Sequence, residues 1–289
     1  MSVPNLTLNN RTEIPQLGFG VFQVPPAQTA DVVTQALEVG YRHIDTAQMY
    51  QNEQGVGDAL KASDVPREEL WITSKLNNGF HRPDDARRTF DETLARLGLE
   101  QIDLFLVHWP LPTLYDGDYV STWRTLTEFV EDGRARGVGV SNFQPAHLDR
   151  IVAETGVVPV VNQIEVHPYF TNEDAREASL RHGVLVESWS PIAQGAVLGD
   201  DVIGKIAAAH GRTPSQVTLR WHVQRGDIVF PKSMHRERME ENFAIFDFEL
   251  TDDELASIAA LDKGEAGRTG PNPDTVSYTH LTLPTIYSV

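Results

Sequence analysis

The amino-acid sequence predicts an α/β protein that folds as a single closed (β/α)8 TIM barrel. Short β-rich segments alternate with amphipathic helical segments, and this alternation favours a parallel sheet. Eight strand–helix units can be counted, and no linker rich in Pro, Gly or Ser divides them. The length of 289 residues suits one large barrel. An open, doubly wound sheet is the alternative.

The elements follow one another in the order that a barrel requires. The strands are short aliphatic runs, and the helices carry apolar residues on one face, as Val32, Val33, Ala36 and Leu37 do. The predicted strands lie near residues 17–19 and at 41–45, 70–74, 102–107, 137–140, 158–162, 184–187 and 227–230. The predicted helices lie near 32–39 and at 55–62, 84–97, 123–131, 148–154, 173–181, 203–210, from 213 onwards, 237–243 and 252–261. We also expect a short N-terminal β-hairpin that closes the bottom of the barrel.

The C-terminal segment differs from the rest of the chain. Residues 276–289 contain no charged side chain, although 22% of the whole chain is charged. We therefore predict a barrel domain at residues 1–275, followed by a tail at 276–289 that is foreign to the native protein. An ordinary apolar C-terminal loop is the alternative.

Composition excludes several classes of function. The chain has 24 Lys and Arg against 41 Asp and Glu, a net charge of −17, which repels nucleic acid and anionic lipid. It has no cysteine, which excludes disulfides and thiolate chemistry. No metal-ligand motif, signal peptide or long apolar run is evident, so we expect no metal and a cytoplasmic protein.

Polar residues follow the predicted barrel strands at the end where barrel active sites lie. Asp45, Lys75 and His108 come from three successive strands, and Tyr50 follows Asp45 closely. Each residue alone can be explained without a catalytic role. Lys75 could form an ion pair with Asp45 at the barrel rim, His108 could be a hydrogen-bonded core histidine, and Tyr50 could be a surface aromatic. Their combination predicts a catalytic site. Later strand ends contribute Ser141, Asn142, Gln163, Trp189, Ser190, Lys232 and Ser233.

The combination resembles the aldo-keto reductase family over residues 4–274. The matching stretches are GYRHIDTA at 40–47 with Tyr50, NE at 52–53, ITSK at 72–75, DLFLVHWP at 103–110, GVGVSNF at 137–143, VNQIE at 161–165 and FPKS at 230–233. The stretch LGFGVFQVPP at 17–26 is most similar to the bacterial branch that includes the 2,5-diketo-D-gluconate reductases.

The resemblance implies that Asp45, Tyr50, Lys75 and His108 form the family's catalytic tetrad. Tyr50 is the expected general acid during reduction of a carbonyl group. We expect the Lys75 ammonium group to lower the phenol's pKa, and Asp45 to hold Lys75 charged and in place. His108 would hydrogen-bond the carbonyl oxygen and orient the substrate.

The cofactor prediction rests on separate residues, because no Gly-x-Gly-x-x-Gly motif or phosphate loop enters a helix. The family binds its nicotinamide cofactor across the barrel mouth, and Ser141, Asn142 and Gln163 are similar to its carboxamide ligands. Trp189 stands where an aromatic ring stacks on the nicotinamide, next to Ser190. The remaining predicted contacts, to the 2′-phosphate and adenine, are Lys232, Ser233, Arg238, Glu241 and Asn242. Basic residues at a helix start favour phosphate, which predicts NADPH over NADH. A solvated mixed-charge helix is the alternative.

Substrate contacts are expected from Phe22, Tyr50, His108 and Trp109. Their aromatic walls suit small aldehydes, dicarbonyls, keto-sugars or keto-acids. Asn77 replaces a Trp that is common in the family after Lys-Leu, which would widen the pocket or make it more polar. We expect a monomer. Two other classes remain open: a lyase with Lys75 as Schiff-base nucleophile, and a non-catalytic cofactor sensor.

Overall fold

The structure, a computed structural model, describes residues 3–279. Its strands are β1 (Asn5–Thr7), β2 (Glu13–Pro15), β3 (Phe19–Gly20), β4 (His43–Asp45), β5 (Trp71–Leu76), β6 (Ile102–Val107), β7 (Ala135–Ser141), β8 (Val161–Glu165), β9 (Leu185–Trp189) and β10 (Ile228–Val229). Its α-helices are α1 (Pro26–Val39), α2 (Glu53–Ala62), α3 (Pro83–Leu97), α4 (Tyr119–Glu131), α5 (Pro145–Thr155), α6 (Glu173–Arg181), α7 (Asp201–His210), α8 (Pro214–Gln224), α9 (Arg236–Phe243) and α10 (Asp252–Ala259).

Strands β3 to β10 form one parallel sheet in chain order, and its two edges meet. Leu17 bridges Val229 in parallel, and the amide of Gly18 donates to the carbonyl of Val229 at 2.7 Å. The backbones are so close at this seam that a Cβ on Gly20 would lie 2.7 Å from the carbonyl oxygen of Phe230. The predicted TIM barrel is confirmed, and the open sheet is excluded.

The helices begin and end where the sequence supplies suitable residues. Proline is the first residue of α1, α3, α5 and α8, where its missing N–H costs no helical hydrogen bond. Gly98 ends α3 with a φ of 67°, a left-handed conformation that strains residues with a Cβ. Neighbouring helices then pack through aromatic rings, as Phe90 of α3 stacks on Phe129 of α4 at 3.9 Å.

The hairpin of β1 and β2 lies across the N-terminal ends of the barrel strands, as predicted. The two strands pair antiparallel, and Leu8 and Ile14 pack in a cluster with Trp71 and Ile228. The side chain of Asn9 donates to the carbonyl of Pro159 at 2.8 Å, which holds the hairpin against the barrel. Ligands therefore have to enter from the other end.

The strands end at slightly different residues from those predicted. Lys75 is the last residue but one of β5, and Gln163 lies two residues before the end of β8. Lys232 follows the end of β10 by three residues and belongs to the loop before α9. Within residues 3–279, no helix combines the length and apolar character needed to cross a membrane.

The predicted division at residue 275 stays a prediction. Val276 packs in a cluster with Trp109 and Leu111, and the carbonyl of Tyr278 accepts from Asn78 at 3.0 Å. Residues 280–289, which make up most of the predicted tail, lie outside the described residues.

Candidate active site

An ion pair between neighbouring strands forms the centre of the site. Asp45 ends β4, and the register pairs it with Thr73 of β5, which places Lys75 further along the same face. The Lys75 ammonium nitrogen lies 2.7 Å from Asp45 Oδ1 and 2.9 Å from the carbonyl oxygen of Thr46. Lys75 is fully buried, so Asp45 and its other polar neighbours replace the water that a charged amine requires.

A short 3₁₀ helix, Gln48–Tyr50, aims Tyr50 at this pair. Gln48 holds the helix in place, because its side chain donates to the carbonyl of Thr89 and accepts from the amide of Asn77. The phenol oxygen of Tyr50 lies 3.4 Å from Lys75 Nζ, within hydrogen-bond reach. The phenol and the ammonium group are therefore adjacent, as the sequence predicted.

His108 completes this group from the next strand. It follows β6 directly, and its ring lies edge-on to the ring of Tyr50, with 5.8 Å between the centroids. Its Nδ1 is buried without a hydrogen-bond partner among the described residues. Burial, followed by the charges of Lys75 and His81, holds the pKa of His108 well below its ordinary value, so the ring is neutral at physiological pH.

The electrostatics of the site correct one expectation. Burial acts to lower the pKa of Lys75, but Asp45 and Tyr50 outweigh it and the net shift is upward. Burial raises the pKa of Tyr50 more than the Lys75 ammonium group lowers it. Lys75 thus lowers the pKa of the phenol as expected, but burial outweighs it, so the pKa does not fall below its ordinary value. Tyr50 remains a protonated hydrogen-bond donor at neutral pH.

A second set of predicted residues lines the barrel mouth beside this group. Ser141 Oγ donates to the carbonyl of Gln163 at 2.8 Å, and Asn142 Nδ2 donates to the carbonyl of His108 at 2.9 Å. Asn142 in turn accepts from Trp189 Nε1 at 2.9 Å. The side-chain nitrogen of Gln163 donates to Asp45 Oδ2 at 2.8 Å. A continuous hydrogen-bonded wall thus connects the predicted carboxamide ligands with Asp45.

The predicted phosphate contacts belong to the loop before α9 and to the first turn of that helix. Lys232 and Arg238 are exposed, and their side chains make no ion pair or hydrogen bond within residues 3–279. Ser233 is nearly buried, and its hydroxyl accepts from the amide of His235 just before α9. By contrast, Arg236 pairs with Glu38 and Glu240. Lys232 and Arg238 therefore remain available for an anion in a protein of net charge −17.

The other predicted cofactor residues, Glu241, Asn242 and Ser190, lie in two different parts of the fold. Glu241 accepts from Thr213 Oγ1 at 2.7 Å, and Asn242 accepts from Ser215 Oγ at 2.8 Å, so both are engaged with the start of α8. Ser190 follows β9 directly and has a φ of 54°, in the left-handed region.

The predicted substrate residues surround the phenol. The ring of Phe22 is 42% exposed and lies 5.0 Å from that of Tyr50, so it forms an outer wall. Trp109 is almost buried, and it follows His108 directly. At the position of the missing family Trp, Asn77 accepts from the amide of Gly79 and so shapes its own loop.

Sequence reasoning missed two buried carboxyl groups beside the site. Glu187 of β9 accepts from the side-chain nitrogen of Gln163 at 2.9 Å. Glu165 of β8 accepts from the amides of Thr269 and Gly270, which fixes the C-terminal segment against Trp189. The available signal was an acidic residue inside each predicted core strand or at its end, where an aliphatic side chain is usual.

Two features outside the barrel mouth were candidates for a second site, and among the described residues neither forms one. A cleft of about 570 Å³ opens beside the hairpin, but its arginines are already paired: Arg42 with Glu69 at 3.6 Å and Arg136 with Asp103 at 2.9 Å. In the part of the chain that the structure describes, no three His, Asp or Glu side chains gather to hold a metal ion.

Comparisons with known proteins agree with the motifs. The profile of the Aldo/keto reductase family matches residues 16–263. An aldo-keto reductase of Mycolicibacterium smegmatis is 45% identical over 276 residues, covering 96% of this chain and 99% of that protein. Methylglyoxal reductase DkgA of Escherichia coli is 45% identical over 271 residues, covering 93% and 96%. A mutant of Gox0644 solved in complex with NADPH is 42% identical, with a TM-score of 0.92, and covers 96% of this chain and 100% of its own.

Proposed function

Because this chain belongs to the aldo/keto reductase family and is an NADPH-dependent enzyme that reduces carbonyl groups, we propose that Tyr50 is its general acid and small aldehydes or dicarbonyls are its substrates. One observation carries the proposal: the phenol oxygen of Tyr50 lies 3.4 Å from a buried, ion-paired ammonium group. Keto-sugars and keto-acids belong to the same substrate range.

The residues divide the chemistry among them. NADPH, when bound, supplies the hydride to the carbonyl carbon. Tyr50 donates its proton to the carbonyl oxygen as negative charge develops there. The alkoxide is a much stronger base than a phenolate, so a phenol with a raised pKa still protonates it. Lys75, held by Asp45, then stabilises the phenolate that remains.

His108 orients the carbonyl group. Its pKa is far below the ordinary value, so it acts as a neutral hydrogen-bond donor and not as an acid. Since Nδ1 is enclosed, Nε2 is the nitrogen left to donate to the substrate oxygen. Two donors, from Tyr50 and His108, therefore converge on that oxygen.

The chain offers a suitable set of groups for NADPH. Ser141, Asn142 and Gln163 present hydroxyl and amide groups to a carboxamide, and Trp189 presents an aromatic face. Exposed Lys232 and Arg238 suit a phosphate, together with Ser233. Ser190, Glu241 and Asn242 complete the proposed set on the resemblance alone.

The environment of the Lys75 ammonium group argues against a lyase that uses this residue as a Schiff-base nucleophile. A Schiff base needs a neutral amine that can reach the substrate. Here the ammonium group is fully buried, its pKa is raised, and its hydrogens point at Asp45, Thr46 and Tyr50. Carbonyl reduction is the chemistry that uses this arrangement.

Tyr50→Phe tests the assignment. We expect kcat for NADPH oxidation with methylglyoxal to fall by at least about 10²-fold, because the proton donor is removed. The affinity for NADPH, measured by quenching of tryptophan fluorescence, should stay within about twofold. Tyr119→Phe, which removes a phenol hydroxyl from α4 and not from the site, is the matched control. A Tyr50→Phe enzyme as fast as the parent would refute the role of Tyr50.

The substrate class needs its own measurement. Initial rates of NADPH oxidation over a panel of aldehydes, dicarbonyls, keto-sugars and keto-acids would rank kcat/KM. We expect the small dicarbonyls at the top, because the walls at Phe22 and Trp109 are aromatic and the nearby polar donors are few. A panel in which none of these compounds is reduced would contradict the proposal.

A further inference from the structure

A carboxyl group inside the barrel has no part in the mechanism described above. Glu187 lies in the middle of β9, in register with Gln163 of β8, and both are almost completely buried. Glu187 Oε2 accepts from Gln163 Nε2 at 2.9 Å, whereas Oε1 is buried without a partner among the described residues. Burying a carboxyl group with an unsatisfied oxygen costs free energy, which indicates that the group has a function.

The arrangement around Gln163 indicates what that reason is. The same amide nitrogen donates to Asp45 Oδ2 at 2.8 Å and to Glu187 Oε2 at 2.9 Å. Both hydrogens of the amide are therefore directed at carboxyl oxygens. A flipped amide would place its oxygen against the ionised Asp45 Oδ2, which is repulsive, and would leave Glu187 Oε2 without its donor. With both carboxyl groups in place, the amide oxygen is the group left to face the barrel mouth.

We propose that Glu187 is a positioning residue of the active site: it fixes the orientation of the Gln163 amide and, through that amide, the Asp45–Lys75 pair. The inference rests on the proposed function, since it assumes that Gln163 binds the cofactor and that Lys75 acts on Tyr50. Glu187 acts through Gln163 and needs no contact with substrate.

The charges around Glu187 give the proposal a second consequence. Burial and, after it, the charge of Asp45 raise the pKa of Glu187 to about 8, although Gln163 and Lys75 act to lower it. The strand neighbours in register are Gln163 and Ile228, which do not titrate. Asp227, just before Ile228, pairs with Arg176 of α6 and His222 of α8, outside the barrel. Asp45 and Lys75 are thus the charged groups that act on Glu187.

Ionisation of Glu187 adds a negative charge near Lys75 at alkaline pH. That charge favours the ammonium form of Lys75 and the protonated form of Tyr50. The parent enzyme should therefore keep its proton donor to a higher pH than a variant whose residue 187 stays neutral.

Glu187→Gln and Glu187→Leu separate the two effects. Gln can still accept from Gln163 Nε2, whereas Leu of similar size cannot. We expect Glu187→Leu to weaken NADPH binding by about 10-fold, because the amide loses a partner and its fixed orientation. Glu187→Gln should keep the NADPH Kd within about twofold at pH 6.5. In Glu187→Gln, however, the alkaline limb of kcat should move to lower pH by about half a unit to one unit.

Ser188→Ala is the matched control. Ser188 is the next residue of β9 and points to the opposite face, and its buried hydroxyl has no partner among the described residues. Its Kd and its pH profile should match those of the parent. Dissociation constants come from quenching of tryptophan fluorescence in the absence of substrate, and melting curves verify that each variant is folded.

Two results would overturn the proposal. One is a folded Glu187→Leu enzyme that binds NADPH as tightly as the parent. The other is a Glu187→Gln enzyme whose alkaline limb coincides with that of the parent, which decides the matter even where the Leu variant does not fold. Failure of the proposed function would look different: Tyr50→Phe would retain turnover while Glu187→Leu still weakened NADPH binding.

Discussion

At the scale of single residues, burial decides which form of each ionisable side chain is present. Lys75 keeps its charge inside the barrel because Asp45, 2.7 Å away, offsets the loss of hydration. Tyr50 keeps its proton because burial outweighs the effect of Lys75. His108 stays neutral because burial and the charge of Lys75 both lower its pKa. At neutral pH the site therefore holds a protonated phenol, a neutral imidazole and one buried cation.

Glu187→Gln should stabilise the protein in a pH-dependent way. The pKa of Glu187 is about 8 in the folded protein and 4.5 in its reference state, so the native state binds the extra proton. Between these values the parent loses stability as pH rises, whereas Gln has no proton to lose. We expect the variant's advantage in unfolding free energy to grow from small at pH 5 to about 3 kcal/mol near pH 7.

Urea denaturation of both proteins at several pH values between 5 and 8.5 measures this difference. Ser188→Ala provides the control for substitution in the same strand. A difference that is constant across this pH range, or that shrinks as pH rises, would contradict a raised pKa.

At the scale of elements, the site is assembled from strand ends and from the segments that follow them. The 3₁₀ turn after β4 carries Tyr50, and Glu53 at the start of α2 fixes this region to its neighbours. Glu53 accepts from Ser74 Oγ at 2.5 Å and from Arg96 Nε at 2.8 Å, which ties α2 to β5 and α3. The distance between Tyr50 and Lys75 depends on this packing of elements and not on the two residues alone.

The loop before α9 and its first turn should determine the preference for NADPH. Lys232→Ala and Arg238→Ala should each weaken NADPH binding by about 10-fold and NADH binding little, because only NADPH carries the 2′-phosphate. Fluorescence titration with both cofactors measures this. Arg236→Ala is the control, since that arginine is already paired with Glu38 and Glu240. Tighter binding of NADH by the parent would refute the prediction.

The C-terminal segment should depend on one buried carboxylate. Glu165 accepts from the amide and hydroxyl of Thr269, each at 2.6 Å, and from Gly270 at 3.0 Å. Glu165→Gln removes the charge and some of these hydrogen-bond acceptors. The population in which the C-terminal segment is detached should then rise by about 10-fold, because at least one such hydrogen bond is lost. The Arg268–Thr269 bond should then be cleaved faster by trypsin.

Limited proteolysis followed by mass spectrometry locates and times that cleavage. Glu173→Gln, which alters an exposed carboxylate on α6, is the control. Equal cleavage rates in the Glu165 variant and the parent would show that the segment is held by other contacts.

At the scale of the whole molecule, the barrel brings distant parts of the chain to one mouth. Asp45 and Gln163 are 118 residues apart, yet they share a hydrogen bond of 2.8 Å. The hairpin closes the opposite end of the barrel, so the charges that act on an entering ligand are those at the open end. There, Lys232 and Arg238 have no ion-pair partner in the described part of a chain whose net charge is −17.

Removal of the C-terminal tail tests the predicted domain boundary. A chain that ends at Thr275 should fold and reduce methylglyoxal with a kcat/KM at least equal to that of the full chain, because residues 1–275 are proposed to be the complete barrel. Loss of the Val276 contact with Trp109 and Leu111 should lower the free energy of unfolding by about 1–2 kcal/mol. The melting temperature should therefore fall by no more than a few degrees. A large loss of activity would instead favour a native C-terminal loop.

The sequence by itself determined the fold class and the family, and it proposed the four tetrad residues. Alternating strands and helices predict the barrel because each strand must be followed by a helix that covers it, and the strand ends then collect the polar residues. Motifs such as the one around Asp45 and the one around His108 extend over several adjacent residues and are therefore readable without coordinates.

Only the tertiary structure decided the electrostatics and the supporting carboxyl groups. The pKa of Tyr50 depends on how far burial outweighs Lys75, a balance of distances and solvent exclusion that no local pattern encodes. Glu187 could not be assigned from its own strand, because its partner Gln163 lies on β8 and the connection to Asp45 crosses the barrel. Such contacts exist only once the sheet has closed, since closure is what places side chains of separate strands within hydrogen-bond distance.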